Sequence, residues 1–318
     1  MIIWGISGNS HDAAIAVFVD KQLVFASQSE RFSGKKNDRD LCEELVLYAK
    51  QWGSPDQVIW YENPYLKTLR QLFAGQGWKW RENNIEIYLA RYDIHAPIKY
   101  VNHHKSHAAG GYYTSGFDNA AVVVLDAIGE FTTYSVWEAN NNVLRKLMSL
   151  DYPNSLGLFY SAFTHALGMT PIRDEWKLQA MAEKGNPKIF YYRVEKYFTG
   201  LLELNYNFHK GVKDQKFYID SIEDECNLAA AVQLVFEEQI EMIMNKAKEL
   251  TNSDCLVYMG GCAMNSKANK KVVEPKFRYI WSLPNPGDPS SAMGAVLYHT
   301  KQRVHHNFGT VNHIEINV

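Results

Sequence analysis

Two histidines four residues apart carry the clearest chemistry in this chain. In His103-His-Lys-Ser-His107 a helical backbone would project the imidazoles of His103 and His107 from one face, within reach of a single metal ion. Taken alone, the pair is more often a packed or solvated helix start than a metal site. Asp126 ends the apolar run Ala121-Val-Val-Val-Leu125, where an unpaired carboxylate would be costly. Asp288 follows Pro286-Gly287 at the start of a helical pattern, and by itself it reads as an ordinary cap. Two His and two Asp together make a mixed nitrogen and oxygen donor set suited to iron, manganese or zinc.

Two turns could meet a ligand. Gly260-Gly-Cys-Ala-Met-Asn265 follows the apolar run Leu256-Val-Tyr-Met259 and opens a helix, so its backbone amides could approach a nucleotide without side-chain obstruction. The same pattern also serves as a tight connection. Gly5-Ile-Ser-Gly-Asn-Ser-His-Asp-Ala-Ala14 sets a polar turn between two strands, where an imidazole could face a phosphate or a reacting hydroxyl. A plain hairpin is the alternative.

The elements that must position these groups follow from periodicity. Short strands are expected at residues 2–6, 13–19 and 23–27, then at 58–61 and 98–101, with helices over 41–51, 65–73 and 85–92. The pattern restarts with strands at 120–125, 132–137 and 143–149, helices at 155–167 and 174–182, and a long helix over 222–250 opened by Ser221 and Asp224 in a capping-box pattern. A buried strand at 256–259, a strand at 279–282 and a helix around 291–301 complete it. Two meanders, each followed by helices, predict two related lobes in an α/β fold: residues 1–118 and 119–318, with the last helix packing back on the first lobe.

Composition limits the partners. The 318 residues are 46% hydrophobic, enough for a large core, and 33 Lys plus Arg against 35 Asp plus Glu give a net charge of −2. No global field draws nucleic acid or an anionic membrane, so either partner would need a local patch. Neither a targeting signal nor an apolar run of the ~20 residues a bilayer requires is visible, and a cytoplasmic location with no membrane partner is expected. Cys42, Cys226, Cys255 and Cys262 show no CxxC spacing and read as reduced thiols.

In order along the chain, these segments resemble the O-carbamoyltransferases of antibiotic and nodulation-factor biosynthesis, of the tobramycin and nodulation type, in their N-terminal catalytic domain. The elements that carry the resemblance are His11-Asp-Ala-Ala14, Glu30-Arg-Phe32 with Lys36 beyond it, His103-His-Lys-Ser-His-Ala-Ala109, Asp126-Ala-Ile-Gly-Glu130, Ser155-Leu-Gly-Leu-Phe-Tyr-Ser161, Glu175-Trp-Lys177, Gly260-Gly-Cys-Ala-Met-Asn265 and Asp288. Ala127 departs from the glycine usual after the metal aspartate, and Gln179-Ala-Met-Ala-Glu183 rewrites the stretch after the Glu-x-Lys helix.

The resemblance implies the two-lobed actin, sugar-kinase and heat-shock-chaperone (ASKHA) fold, shared with the tRNA threonylcarbamoyladenosine transferases. It implies a divalent ion, Fe2+ ahead of Mn2+, Mg2+ or Zn2+, on His103, His107, Asp126 and Asp288. ATP would be held by Gly129, Glu130, Gly260, Gly261 and Asn265. His11 is expected as general base, with Asp12, Lys36 and Lys177 also catalytic and Arg173 a further candidate cation. The implied reaction carries a carbamoyl group from carbamoyl phosphate, through an ATP-derived carbamoyl adenylate, to an acceptor hydroxyl. A separate adenylate-forming protein is a possible partner, because family members continue into a second domain that makes the adenylate. The favoured acceptor is hydroxymethylcytosine in DNA, on the strength of the Lys35-Lys36 and Lys270-Lys271 pairs. The competing readings are a threonylcarbamoyl-type transferase acting on tRNA and a non-catalytic nucleotide-binding subunit.

Overall fold

The structure, a computed structural model, describes residues 1–212, 217 and 219–304, together with the backbone strand at Ile314–Glu315. Two sheets repeat one topology. In the first, β1 (Ile2–Ser7), β2 (Ala14–Val19) and β3 (Gln22–Gln28) form an antiparallel meander, while β4 (Gln57–Trp60) and β5 (Ile98–Tyr100) add parallel on the other side of β1. The order is β3-β2-β1-β4-β5, with Ile314–Glu315 pairing outside β3. In the second, β6 (Asn119–Leu125), β7 (Thr132–Asn140) and β8 (Val143–Asp151) make the meander, and β9 (Cys255–Met259) and β10 (Tyr279–Trp281) extend it in parallel, giving β8-β7-β6-β9-β10. Central strands covered on both faces need continuous apolar runs, as in Val122-Val-Val-Leu125, whereas the edge strand β8 keeps Arg145 and Lys146 exposed.

A helix follows the last strand of each sheet, and each crosses to the other lobe. The His103–Tyr112 helix, expected within the first lobe, packs on β6, β7 and β9. The Asp288–Thr300 helix packs on β1, β2 and β4. The two pack against each other, so closely that a Cβ on Gly294 would lie 1.9 Å from the Ser106 carbonyl oxygen. Only glycine allows that approach. Alternate residues of β6 accordingly enter two cores: Val122 and Val124 join the first lobe's core, while Ala121, Val123 and Leu125 face the outer helices of the second lobe. Residue 118 therefore separates β1–β5 from β6–β10 but does not divide the cores.

The outer layer of the second lobe includes helices Leu156–Ala166, Glu175–Ala182 and Ile222–Thr251. Ser155 caps the first by accepting from Leu158 N, and Ser221 caps the long helix by accepting from Asp224 N. All four cysteines are free, and no described helix is long and apolar enough to cross a membrane.

Candidate metal centre and active site

Both lobes deliver one turn and one helix start to a single point. The turn after β6 brings Asp126, and the helix after β5 brings His103 and His107. The helix after β10 brings Asp288. That helix begins at Asp288 itself, three residues earlier than expected, with Gly287 as its N-cap. Asp288 is therefore not an ordinary cap: it is 3% exposed and faces the histidines. His103 Nε2 lies 2.9 Å from Asp126 Oδ2 and 3.4 Å from Asp288 Oδ1. For His107 Nε2 the same distances are 3.3 and 3.4 Å, and the two Nε2 atoms are 3.0 Å apart.

Donor atoms of these four buried residues all lie within 4.8 Å of one another. Ligands at ordinary bond lengths around one ion stand roughly 3.0–3.4 Å apart in octahedral or tetrahedral geometry, so the spacing fits a divalent cation. The donor chemistry fits too, because two imidazoles and two carboxylates suit iron, manganese or zinc. Asp126 Oδ1 is held by Ala127 N at 2.8 Å and Gly261 N at 3.2 Å, which leaves Oδ2 turned to the histidines.

The charges in the cluster depend on each other. Burial works against a charged His103, yet Asp288 and the hydrogen bond with Asp126 outweigh it and carry its pKa up to about 10. Burial likewise disfavours the Asp126 carboxylate, but hydrogen bonds from His103 and His107 hold its pKa well below the usual range. Protons thus occupy a place that a cation would compete for.

His11 stands beside the cluster, with its Nε2 3.5 Å from Asp288 Oδ2. Its Nδ1 lies 2.9 Å from Asp12 Oδ2, and Asp12 is held in turn by Asn37 Nδ2 at 3.0 Å. An Nδ1 proton donated to Asp12 leaves Nε2, on the side of Asp288, able to accept a proton in the neutral ring. Packing around His11 lowers its proton affinity, but Asp288 and then Asp12 more than reverse this and raise its pKa to about 9. The turn that carries His11 is pinned by Lys67, a buried cation that donates to Asn9 O at 3.3 Å and pairs with buried Glu62 at 2.5 Å.

Several expected site residues have other places. Lys177 pairs with Asp174 at 2.9 Å and is largely open to solvent; Lys36 reaches the Arg173 carbonyl at 3.4 Å across the lobes. Neither contacts the cluster. Expected to hold cofactor, Gly129 and Glu130 instead pack on His103, and the Glu130 carboxylate is filled by backbone amides. Gly260 adopts φ 95° and donates to Pro286 O, where a Cβ would lie 2.3 Å from Leu125 O. Its amide and that of Gly261 are therefore spent within the protein. Asn265 is also engaged, exchanging hydrogen bonds with Gln233 and capping Ala268 N. The space over Gly261 is open, since a Cβ there would meet only Asp126 Oδ1 at 3.1 Å.

Asn37, Glu62, Lys67 and Arg70 escaped the sequence reading. Buried charges look like surface charges in a sequence, and only the Glu62-to-Lys67 spacing around a helix start offered a signal.

Residues 57–297 match the family described as Carbamoyltransferase N-terminus. An uncharacterised protein of Synechocystis is 30% identical over 93% of this chain and 56% of its own length. The nodulation protein NolNO of Sinorhizobium fredii is 22% identical over 90% of this chain and 46% of its own. For a 3'-hydroxymethylcephem-O-carbamoyltransferase of Amycolatopsis lactamdurans the values are 24%, 90% and 57%. The chain spans about half the length of the curated relatives it matches.

Among solved structures, the activator of 2-hydroxyisocaproyl-CoA dehydratase from Clostridium difficile, with bound ADPNP, matches at TM-score 0.52 and 12% identity, over 95% of this chain and 96% of that one. Component A of (R)-2-hydroxyglutaryl-CoA dehydratase from Acidaminococcus fermentans matches at 0.53 and 15%, over 95% and 99%. These likenesses show the fold, the two-lobed ASKHA type.

Proposed function

The chain belongs to the carbamoyltransferase family, and we propose that it transfers a carbamoyl group from carbamoyl adenylate to an acceptor hydroxyl in the cleft between its lobes. The observation that carries this reading is the approach of His11 Nε2 to within 3.5 Å of Asp288, beside a buried cluster of two His and two Asp. A proton acceptor thus adjoins a site suited to a cation. A relative of the fold holds ADPNP, and the open space over Gly261 supports an adenylate lying beside Asp126.

His103, His107, Asp126 and Asp288 would hold the divalent ion. When bound, the ion supplies Lewis-acid polarisation and neutralises phosphate charge. His11 then takes the hydroxyl proton at Nε2, while Asp12 holds the imidazole through Nδ1. The hydroxyl oxygen bonds to the carbamoyl carbon as the bond from that carbon to the AMP phosphate oxygen breaks, and AMP leaves with the electron pair. A His11 with pKa about 9 is protonated at neutral pH, chiefly through Asp288. Compensating the charge of Asp288 removes that influence and returns His11 toward a value suited to a base.

The acceptor is proposed to be a hydroxymethyl group, the class printed in the cephem relative's name, and hydroxymethylcytosine in DNA is the form to offer first. The basic pairs give this form limited support: Lys35 and Lys270 are exposed, but Lys271 is paired with Glu237 at 2.5 Å. The test incubates the protein with carbamoyl phosphate, ATP and Fe2+, and in parallel with preformed carbamoyl adenylate. Hydroxymethylcytosine DNA and small hydroxymethyl compounds are then examined by mass spectrometry. A carbamoyl increment on any acceptor supports transfer. Increments on small compounds alone reject the DNA acceptor, and no increment from preformed adenylate on any acceptor rejects the transfer reading. Product from adenylate alone would support a separate adenylate-forming partner.

A further inference from the structure

We propose that Glu130 is a positioning residue that sets the direction of the His103 and His107 imidazoles by capping their helix from the turn after β6. The proposal rests on the metal reading above and assigns Glu130 a role other than nucleotide contact.

The His103–Tyr112 helix has no cap of its own. Asn102, at the N-cap position, makes no side-chain hydrogen bond to it, and its first turn holds no acidic residue. The first amides of a helix lack intrahelical partners, and here they are buried with His103 at 2% exposure. Glu130 fills the gap. Its Oε1 accepts from His103 N at 3.0 Å and from Asn63 N at 2.6 Å, and its Oε2 lies 3.2 Å from His103 N. A carboxylate in that position also meets the positive end of the helix dipole. The side chain is 4% exposed, so water does not compete for these bonds.

Both ends of the residue are fixed. The Glu130 carbonyl accepts from Arg70 Nε at 3.1 Å, and Arg70 is itself buried. Gly129, immediately before it, makes room for the ring: a Cβ there would lie 3.1 Å from His103 Cβ and 3.2 Å from its Cδ2. Asp126 stands four residues upstream in the same turn. One carboxylate therefore ties together the start of the Pro64–Phe73 helix at Asn63, the helix of the two histidines and the turn of the metal aspartate.

The histidines depend on this support. Metal-bound imidazoles usually donate their second ring nitrogen to an acceptor that orients them. Among the described residues, neither His103 Nδ1 nor His107 Nδ1 has such a partner. With no acceptor at Nδ1, ring direction rests on contacts at Nε2 and on the backbone that carries the rings, and Glu130 holds the first residue of that backbone.

The test titrates the full chain with Co2+ and Zn2+, following the visible Co2+ bands and the heat of binding, in the wild type, Glu130→Gln, Glu130→Asp and His103→Ala. Gln keeps one acceptor but turns an amide N–H toward the helix. The expected result is a loss of about 10–100-fold in affinity for Glu130→Gln with altered Co2+ bands, a smaller loss for Glu130→Asp, and no site in His103→Ala. Wild-type affinity and bands in a folded Glu130→Gln would overturn the proposal, as would loss of ATP affinity with metal binding intact. Should Glu130→Gln fail to fold, unchanged affinity and bands in Glu130→Asp would overturn it instead. A wild type that binds neither ion overturns the metal reading and this proposal with it, an outcome distinct from an insensitive variant.

Discussion

The two lobes place different chemistry on the same scaffold positions. The turn after the first strand carries His11 and Asp12 in the first lobe and Asp126 in the second. The helix after the last strand begins with His103 in the first and Asp288 in the second. Geometry is thus repeated, but on the proposed reading the proton acceptor comes from one lobe and the metal-binding carboxylates from the other. Because the two helices cross to opposite lobes, neither lobe alone assembles the site. A repeated fold can in this way supply two pairs of converging groups whose functions then diverge.

The largest expected effect breaks the comparison on the cation side. His103→Ala or Asp126→Asn removes a donor from a buried set of four, and loss of stoichiometric metal together with transfer is expected, read by elemental analysis of the purified variant. Retention of one ion in both variants would separate the cluster from metal binding.

Next in size is the proton side. His11→Gln should leave metal content unchanged while lowering turnover about 10²–10⁴-fold. Asp12→Asn should give a smaller loss with the ion retained, since it only orients His11. If metal content falls with His11→Gln, the division of labour between the lobes is wrong.

Where the lobes meet, Gly294→Val drives a side chain into the Ser106 carbonyl, and destabilisation of ~3 kcal/mol or more is expected from overpacking at this crossing. Denaturant melts measure it. Gly168→Ala, with open space at φ 75°, serves as the contrast and should cost about 1 kcal/mol.

A further contrast lies in pH. In the metal-free protein His11 and His103 are raised from 6.5 to about 9 and about 10. A raised pKa contributes stability that is complete below 6.5 and lost as pH climbs through the folded value. Thermal stability of the metal-free form should therefore decline between pH 6.5 and 10, and metal should abolish the decline. Metal binding should release protons at neutral pH, with affinity rising by up to about tenfold per pH unit for each proton displaced. Calorimetry in buffers of different ionisation enthalpy checks the release.

Much of this division was legible in the sequence because it is carried by local patterns. The i, i+4 histidines, the strand ending at Asp126 and the His-Asp turn each have a spacing of their own, and the structure places all three at one point. What was illegible depends on distant partners. Glu130 reads like a ligand-facing acid, yet it is taken up by amides of Asn63 and His103, which lie far from it in the chain. Glycines 260 and 261 read as open amides, but Pro286 and Asp126 occupy them. Asp288 looked like a cap because it follows Pro286-Gly287 at a helix start, and nothing local shows that its carboxylate faces His103 and His107. The last helix was expected to pack back on the first lobe, but the crossing of the His103–Tyr112 helix was hidden, since Gly294 and Ser106 share no local pattern.

The central claim is that one cation binds where the two lobes converge, with His11 beside it but not on it. Anomalous diffraction from crystals loaded with Fe2+ or Zn2+ tests this most directly. A single peak within about 2.0–2.2 Å of His103 Nε2, His107 Nε2 and oxygens of Asp126 and Asp288 is predicted, with His11 Nε2 outside bonding distance. A peak elsewhere, or one that takes His11 as a ligand, would contradict the account.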